Sequence, residues 1–361
     1  MNFFKQLIKE LIDKGNIVDV ATNTDIADVD DYFKKLGCKI YRISCQRTPF
    51  SMKNIKAINE IKGIVSNNHY DIVHCHTPVA SFCTRLACIN YRKNGGKVIY
   101  TCHGFHFHKK SSKLNWILYY TAEKFLARYA DLIITINKED YNVTKKFNVK
   151  DIKYIHGVGI DCKKISNLKV NNRTFRKSLS IPQNAFLLTS IGELSKRKNF
   201  SVVIKAMSKL KEYPIYYVIC GEGSERANLE KLINDNYLND KVILLGRKDH
   251  DFVLKLCKVS DVGIIPSKIE GLGLAGLEHM AAGKPVIGSN LHGIKDYVIN
   301  GYSGILCESN NSNQFSNAII NMFNNKQKYN DMCLNAENIS RKFDQSISIY
   351  EMKTIYNDII S

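Results

Sequence analysis

The sequence predicts an α/β protein with two doubly wound parallel-sheet domains facing each other across a cleft. Its 361 residues suit two domains, since single domains usually hold roughly 100–200 residues. Short β-branched runs alternate with helix-length segments, the pattern of βαβ units. The alternation stops over residues 157–170 and then restarts, which predicts a connection between the domains. Such domains bind ligands at the carboxyl ends of their strands, so we expect the site in the cleft.

The first domain is predicted over residues 1–165. Its candidate strands are Ile17–Val20, Lys39–Tyr41, Asp71–His74, Lys97–Tyr100, Leu132–Thr135 and Ile152–Ile155. The chain opens on a helix over Phe3–Asp13, whereas a doubly wound domain normally begins with its central strand and a tight glycine turn. We therefore expect a domain that lacks its first strand and glycine loop, through a start-site error or a real truncation, and weak or no activity as written.

The second domain is predicted over residues 171–342, and a final helix over 343–361 is expected to pack back on the first domain. Its candidate strands are Ala185–Ile191, Ile215–Cys220, Val242–Leu245, Val262–Ile265 and Pro285–Ile287. Helices are predicted between them, among them Phe200–Leu210 and Ala275–Ala282.

Composition excludes several classes of protein. With 44% hydrophobic and 24% charged residues, the chain can bury ordinary cores and is neither disordered nor collagen-like. No stretch reaches the roughly 18 apolar residues of a membrane span. Charged residues interrupt the first eleven positions, so they do not form a signal peptide. Eleven cysteines without a C-x-x-C pair indicate reduced thiols, so we expect a cytoplasmic protein.

The charge is unevenly distributed. Up to position 170 there are 28 basic and 15 acidic residues, so this half carries +13 of the total +18. A basic half favours anionic partners such as nucleic acid, phosphorylated substrates or an acidic membrane surface. A lysine-rich solvated surface is the simpler interpretation.

The most specific motif covers residues 266–287. A strand ends at Pro266, a loop with two glycines follows, and a helix starts near Leu274. Free backbone N–H groups and the helix dipole make this corner an anion site. Glu270 and Glu278 flank it, and carboxylates accept hydrogen bonds from vicinal hydroxyls. Together these features suit a sugar nucleotide better than an ordinary strand–loop–helix with solvated glutamates.

This motif resembles the E-x7-E signature of the retaining glycosyltransferases of group 1 (sequence family 4). Leu272 and His279 replace the usual Phe and Ala. The resemblance covers nearly the whole chain, implies the GT-B fold and a hexosyltransferase-type activity, and is nearest to bacterial capsule and exopolysaccharide transferases. It also rests on three other segments, Tyr100–Phe107, Thr135–Tyr141 and Gly192–Asn199.

The resemblance implies a role for each matching residue. Glu270 is expected to hold hydroxyls of the donor sugar, Glu278 the ribose hydroxyls, and Lys198 the departing phosphate. The family's second cation follows a glycine, where this chain has Glu193, so Arg197 or Lys196 is the candidate replacement. The remaining donor-binding candidates are the amides near Leu274 and Ala275 for the diphosphate, the glycine turn at Gly221 for the nucleotide, and Arg247 near the nucleobase.

His103 follows the strand Lys97–Tyr100, at a carboxyl end that is expected to face the cleft. A lone histidine there is more often structural, but the resemblance gives it a place beside the transferred sugar. His103, His106 and His108 with His74 and His76 also suggest a metal site, although no carboxylate or cysteine completes a familiar ligand spacing. The family needs no metal, so we expect no metal and no cofactor beyond the nucleotide sugar.

The helix from Leu114 towards Arg128 is rich in aromatic residues and flanked by lysines. It could be a core-facing helix, or it could rest on an anionic bilayer that holds a lipid-linked acceptor. Peripheral attachment to the inner face of the cytoplasmic membrane is common in the family.

These observations favour a retaining glycosyltransferase that moves a sugar from a nucleotide donor, expected to be UDP-linked, to a lipid-linked or growing saccharide. The resemblance implies front-face attack with departure of the diphosphate, and the sequence offers no carboxylate placed as a covalent nucleophile. The alternatives are a nucleotide-sugar epimerase of the same fold, an inactive truncated transferase, and a basic nucleic-acid-binding protein. The epimerases lack this E-x7-E context, and no module combines clustered Lys/Arg with stacking aromatics, so we expect no nucleic-acid partner.

Overall fold

The computed structural model describes residues 4–25, 29, 31–46, 48–105, 107 and 113–361, excepting the side chains of 113–115. The chain divides into two compact units. The N-terminal unit comprises Met1–Gly159 with Ser346–Ser361, and the C-terminal unit comprises Ile160–Gln345. Each unit is an α/β structure with parallel strands.

The N-terminal unit alternates strands and helices. Its elements are α1 Lys5–Asp13, β1 Val20–Thr22, α2 Asp31–Lys35, β2 Ile40–Arg42, α3 Lys53–Asn67, β3 Ile72–His76, α4 Pro78–Ala87, α5 Ile89–Lys93, β4 Lys97–Cys102, α6 Lys113–Leu126, β5 Leu132–Thr135, α7 Lys138–Thr144 and β6 Asp151–Tyr154. Strands β3 to β6 form a four-stranded sheet in chain order, and β1 pairs with β2 in a separate two-stranded sheet. The expected lack of a first strand and glycine loop stays a prediction.

The structure moves the first strand relative to its prediction. Residues Ile17–Val20 were expected to form it, but β1 begins at Val20, because Val20 pairs with Ile40 of β2. Ile17 is 88% exposed. Its β-branched side chain favours a strand locally, but Ile17 lies before the residues that pair with β2. Helix α4 was absent from the predicted elements.

The C-terminal helix, α16 Gln345–Ile360, has most of its length in the N-terminal unit. Side chains of Glu351, Lys353 and Tyr356 make polar contacts there. Lys353 Nζ lies 2.7 Å from Glu10 Oε2 on α1, and His156 Nδ1 lies 3.0 Å from Glu351 Oε1. Tyr356 Oη lies 2.7 Å from His74 Nδ1 on β3. The last sixteen residues thereby close the N-terminal unit.

A buried ion pair ties helix α4 to helix α6. Arg85 is fully buried and its Nη2 donates to Glu123 Oε2 at 2.8 Å. The guanidinium carbon also lies 4.6 Å from the centre of the Tyr100 ring on β4. Two charges buried together compensate each other, whereas either one alone in this core would be costly.

The C-terminal unit contains the remaining elements. They are α8 Cys162–Asn167, α9 Asn172–Ser178, β7 Phe186–Ile191, α10 Ser201–Met207, β8 Ile215–Cys220, α11 Arg226–Asp235, β9 Val242–Gly246, α12 His250–Val259, β10 Val262–Ile265, α13 Leu274–Ala281, β11 Val286–Ser289, β12 Gly304–Cys307, α14 Ser312–Asn324 and α15 Lys326–Ser340. Side chains of Asp249, Asn311 and Asn325 cap helices α12, α14 and α15 by accepting backbone hydrogen bonds, as residues of these types commonly do.

The parallel sheet of this unit has the strand order β12-β11-β10-β7-β8-β9. From β7 the chain continues to β8 and β9 on one side, then crosses to β10 on the other side. The order therefore reverses between β7 and β10. The carboxyl ends of the strands beside such a reversal are the usual ligand site of open α/β sheets.

Residues 157–170 are more than a connection. They contain α8, which packs against α13, and the backbone N–H of Ile160 donates to Phe343 O at 2.9 Å. The Asp161 side chain caps α8. The sequence predicted only a connection for this segment. Helix α8 was missed because it is short and depends on its contacts with other elements of the C-terminal unit. Among the described residues, no helix has the length and apolar character needed to cross a membrane.

Replacing Glu123 with Gln should lower the free energy of unfolding by about 3–5 kcal/mol, because Arg85 keeps its charge in the core without a counter-ion. Urea denaturation followed by circular dichroism measures this. Asp31→Asn, which removes the exposed partner of Lys34, is the control and should leave the midpoint nearly unchanged. Equal midpoints for both variants would contradict this assignment.

Candidate functional site

Lys198 and Glu270 meet where the strand order of the C-terminal unit reverses. Lys198 lies in the loop after β7, and Glu270 lies in the loop after β10. Lys198 Nζ is 2.5 Å from Glu270 Oε2, and the Ser267 hydroxyl donates to the same oxygen at 3.1 Å. The two charged side chains are only 15% and 10% exposed. A partly buried cation and a carboxylate therefore share the crevice predicted to bind a ligand.

Of the two candidates for a second positive charge, Arg197 is the one placed beside Glu270. Its Nη1 lies 3.8 Å from Glu270 Oε1 and donates to the carbonyl of Ile269 at 3.2 Å. Its Nη2 lies 4.0 Å from Glu193, the residue that replaces the family's arginine. Lys196 is exposed.

The amino end of α13 offers two backbone donors. Gly273 precedes the helix in the left-handed region with φ 88°, which glycine adopts without steric cost. Its carbonyl accepts from the hydroxyl of buried Tyr297 at 3.2 Å. Within the described residues, the N–H groups of Leu274 and Ala275 have no hydrogen-bond acceptor. Both residues are half-buried, so an anion could reach these donors and the positive end of the helix dipole.

Glu278 lies one turn further along α13. Its carboxylate is 11% exposed, and Oε1 lies 2.8 Å from Nε2 of His250, the first residue of α12. The hydrogen bond to Glu278 raises the pKa of His250 above its ordinary value of 6.5. The sequence gave no indication of this contact, because 28 residues separate the pair and only the packing of α12 against α13 brings them together.

Gly221 has a structural reason to be glycine. It follows β8 with φ +155°, and a Cβ there would overlap the carbonyl oxygen of Gly192 after β7. Its N–H donates to Gly246 O at 3.0 Å, so the ends of β7, β8 and β9 approach closely. Arg247 directly follows Gly246 and is exposed. The structure thus puts both candidates on the same sheet edge as Lys198.

His103 follows β4 in the N-terminal unit, as predicted from its position after a strand. It is half-buried, and its Nε2 lies 3.1 Å from His76 Nδ1 at the end of β3. Burial lowers the pKa of His103 to about 4 and that of His74 to about 3. His103 is therefore neutral at pH 7, with one ring nitrogen that donates and one that accepts.

A metal site is not assembled by the described residues: no three His, Cys, Asp or Glu side chains there are arranged to hold an ion. Both ring nitrogens of His74 are within 2.7 Å of hydroxyls, those of Tyr356 and Thr101. His106 and His108 lie outside the described residues.

The His250–Glu278 pair predicts a measurable titration. The pKa of His250 should lie above 6.5 and fall back towards that value in Glu278→Gln, as followed by NMR of the imidazole resonances. A raised folded-state pKa means that the stabilisation is fully present below the unfolded pKa and is lost as the pH rises through the folded pKa. An unchanged His250 titration in Glu278→Gln would contradict the pairing.

Two family models match the chain, one to each half. "Glycosyltransferase Family 4" matches residues 2–164, and "Glycosyl transferases group 1" matches residues 171–339. The second range contains Lys198, Glu270 and Glu278. These matches account for both Rossmann-like units.

Two relatives in sequence agree with these family matches. The chain is 31% identical to the putative glycosyltransferase EpsD of Bacillus subtilis, over 98% of this chain and 91% of that protein. It is 29% identical to an Escherichia coli UDP-Gal:α-D-GlcNAc-diphosphoundecaprenol α-1,3-galactosyltransferase, over 86% and 83%.

The crystal structure of Anabaena Alr3699/HepE with UDP superposes with a TM-score of 0.81 at 18% identity, covering 99% of this chain and 95% of that one. This likeness extends to the fold of both units. The sequence relatives, the two family models and the fold together make this chain an enzyme of the group 1 glycosyltransferases, with the GT-B fold.

Proposed function

We propose that this enzyme transfers a sugar from a UDP-sugar donor, with retention of the anomeric configuration, to a lipid-linked or growing saccharide during surface polysaccharide assembly. The observation that carries the proposal is the Lys198–Glu270 pair beside the open amino end of α13. It combines positive charge for a diphosphate with a carboxylate for hydroxyls. The UDP-galactose donor of the E. coli galactosyltransferase and the UDP bound to HepE support a UDP-linked donor.

The donor's charge can be met by groups already in place. An ammonium group has three N–H donors, so Lys198 can bind a phosphate oxygen while one donor stays on Glu270. Arg197 adds a guanidinium, and the N–H groups of Leu274 and Ala275 add two donors at the helix end. Stabilising the negative charge that develops on a leaving diphosphate is the largest contribution such a site can make. The proposal therefore involves no metal or other cofactor.

Transfer then requires one bond exchange. The bond between the sugar's C1 and the β-phosphate oxygen breaks, and the acceptor's hydroxyl oxygen bonds to C1 from the same face. The hydroxyl proton passes to the departing diphosphate, so that UDP and the new glycoside are the products. In this proposal Glu270 orients hydroxyls of the donor sugar, and neutral His103 serves as a hydrogen-bonding group beside that sugar. Glu278 holds the ribose.

We also propose that the enzyme works at the inner face of the cytoplasmic membrane, docked through helices α3, α4 and α6. Helix α4 packs against both of the others. In the first halves of these helices lie four exposed apolar side chains, here called the apolar band: Ile55, Phe82, Ile117 and Leu118, exposed by 55%, 39%, 64% and 46%.

Helix α6 has one face on the core and one face exposed to solvent. Its Trp116 and Tyr120 pack on Phe107 in the core, whereas Ile117 and Leu118 point outward. Exposed Lys53 and Lys124 flank the apolar band, within a half of the chain that carries +13. Apolar contact combined with positive charge is the usual basis for peripheral binding to anionic bilayers.

The donor nucleotide can be identified by thermal shift. UDP should raise the melting temperature more than GDP, ADP or CMP at equal concentration, because the ligand with the lowest Kd stabilises the protein most. A ligand at a hundredfold excess over its Kd contributes about 2.7 kcal/mol. Lys198→Ala should reduce the UDP shift. A larger shift with GDP or ADP would contradict a UDP-linked donor, and no shift with any nucleotide would contradict the site.

The two glutamates can be separated kinetically. Glu270→Gln should lower the rate of sugar transfer by about 10²–10³-fold, the usual effect of removing one group that stabilises the transition state. Glu278→Gln should mainly weaken UDP binding, by about tenfold. Glu230→Gln, which loses only an exposed partner of Arg226, is the control, with transfer of radiolabelled sugar to a lipid-linked acceptor as the readout. Unchanged turnover in Glu270→Gln would exclude this site.

Membrane docking can be measured by co-sedimentation with vesicles of phosphatidylcholine containing 30% phosphatidylglycerol (about one anionic lipid in three, a surface that attracts basic segments). The double change Ile117→Gln with Leu118→Gln should reduce binding about tenfold or more, since each buried aliphatic side chain contributes about 1.5–3 kcal/mol. Tyr237→Ser, an 81% exposed aromatic of the C-terminal unit, is the control. Equal binding of all variants would refute docking through the apolar band.

A further inference from the structure

Glu278 is held by a side chain that the proposed function does not use. His250 Nε2 lies 2.8 Å from Glu278 Oε1. The histidine is 66% exposed, whereas the glutamate side chain is 11% exposed. A solvent-exposed imidazole therefore contacts a largely buried carboxylate.

The position of His250 is fixed by its helix. It is the first residue of α12, and the Asp249 side chain caps this helix by accepting from the N–H of Phe252 at 2.7 Å. Behind it, Val253, Leu254 and Cys257 are buried, which anchors α12 in the unit. An N-terminal cap next to a packed helix leaves the Cα of His250 little freedom, so the imidazole meets Glu278 in a defined place.

The contact leaves the carboxylate most of its binding capacity. A carboxylate has about four acceptor positions on its two oxygens, and the imidazole N–H occupies one of them on Oε1. Oε2 and the second position on Oε1 remain for a ligand. Binding two hydroxyls on neighbouring carbons requires a carboxylate plane of fixed orientation, and the hydrogen bond from His250 restricts rotation of that plane.

We propose that His250 is a positioning residue, which orients the Glu278 carboxylate towards the 2′- and 3′-hydroxyls of the donor's ribose and so favours ribonucleotides over deoxyribonucleotides. This inference rests on the proposed function, in which Glu278 holds the ribose. Restricting an acceptor before its ligand binds reduces the ordering cost of binding. The effect should therefore appear in affinity and only for ligands that carry these hydroxyls.

The charged groups around His250 are compatible with this role. Glu278 faces it from α13, Lys164 from α8, and Asp251 from its own helix. Lys164 Nζ is paired with Asp251 Oδ1 at 2.7 Å, so these two charges largely balance each other. Glu278 is thus the group to which the imidazole responds.

The test is a set of isothermal titrations of the full chain with UDP and with 2′,3′-dideoxy-UDP. His250→Phe keeps a ring but has no donor, and it should weaken UDP binding about five- to tenfold. Its affinity for the dideoxy ligand should stay within twofold of the unchanged protein. His250→Gln, whose amide nitrogen can replace Nε2, should restore most of the UDP affinity. Lys255→Ala, an exposed change on the same helix, is the control.

The outcomes separate this inference from the proposed function. If Glu278→Gln weakens UDP binding while His250→Phe does not, or if His250→Phe weakens both ligands equally, the positioning role is wrong and the donor site stands. If the unchanged protein binds no UDP, the proposed function fails and this role fails with it. A melting curve of each variant checks that its substitution leaves the fold intact.

Discussion

The reversal of strand order between β7 and β10 is the constraint on which the C-terminal unit depends. Parallel strands gather all their carboxyl ends at one edge, and the reversal brings the loops after β7 and β10, which are distant in sequence, side by side there. Lys198 arrives on one loop and Glu270 on the other, 72 positions apart in sequence. Gly221 lies against the carbonyl of Gly192, so the ends of β7 and β8 are close together. Backbone groups at these strand ends can therefore contribute to the site. The strand order therefore determines at which edge of the sheet the functional residues lie.

Each acid of the site has a partner within the protein. Glu270 is paired with Lys198 and receives the Ser267 hydroxyl, and Glu278 is paired with His250. A partly buried carboxylate without a partner is costly, so these contacts hold the site in one arrangement without a ligand. Lys198 retains further donors, and the carboxylates retain further acceptor positions. A sugar nucleotide can therefore add to this network rather than having to dismantle it.

The N-terminal unit follows a different electrostatic rule. Burial lowers the pKa of His76 at the end of β3 and of His103 after β4, so these histidines contribute hydrogen bonds without charge. Arg85 and Glu123 form a deeply buried ion pair, whereas Lys53 and Lys124 are exposed on the helices that carry the apolar band. These features fit our proposal of a polar strand edge for the saccharide and a basic, apolar surface for an anionic bilayer.

The sequence by itself determined the fold class and most of the candidate site. The alternation of strands and helices gave two doubly wound units, and the spacing of Glu270 and Glu278 pointed to the strand-to-helix corner at α13. These signals are local, because propensity, glycine turns and helix ends are set by neighbouring residues. The exact start of β1 and the helix within residues 157–170 were missed, since both depend on partners elsewhere in the chain.

Only the tertiary structure decided which residues meet. Arg197 rather than Lys196 lies beside Glu270 as the second cation after Lys198. His250 contacts Glu278, and His76 contacts His103. The tertiary structure also divided α6 into a face that packs on the core and a face exposed to solvent. Such contacts join residues that are distant in sequence, and their geometry follows from how helices pack on one another and on the sheet, which no periodicity of the chain records.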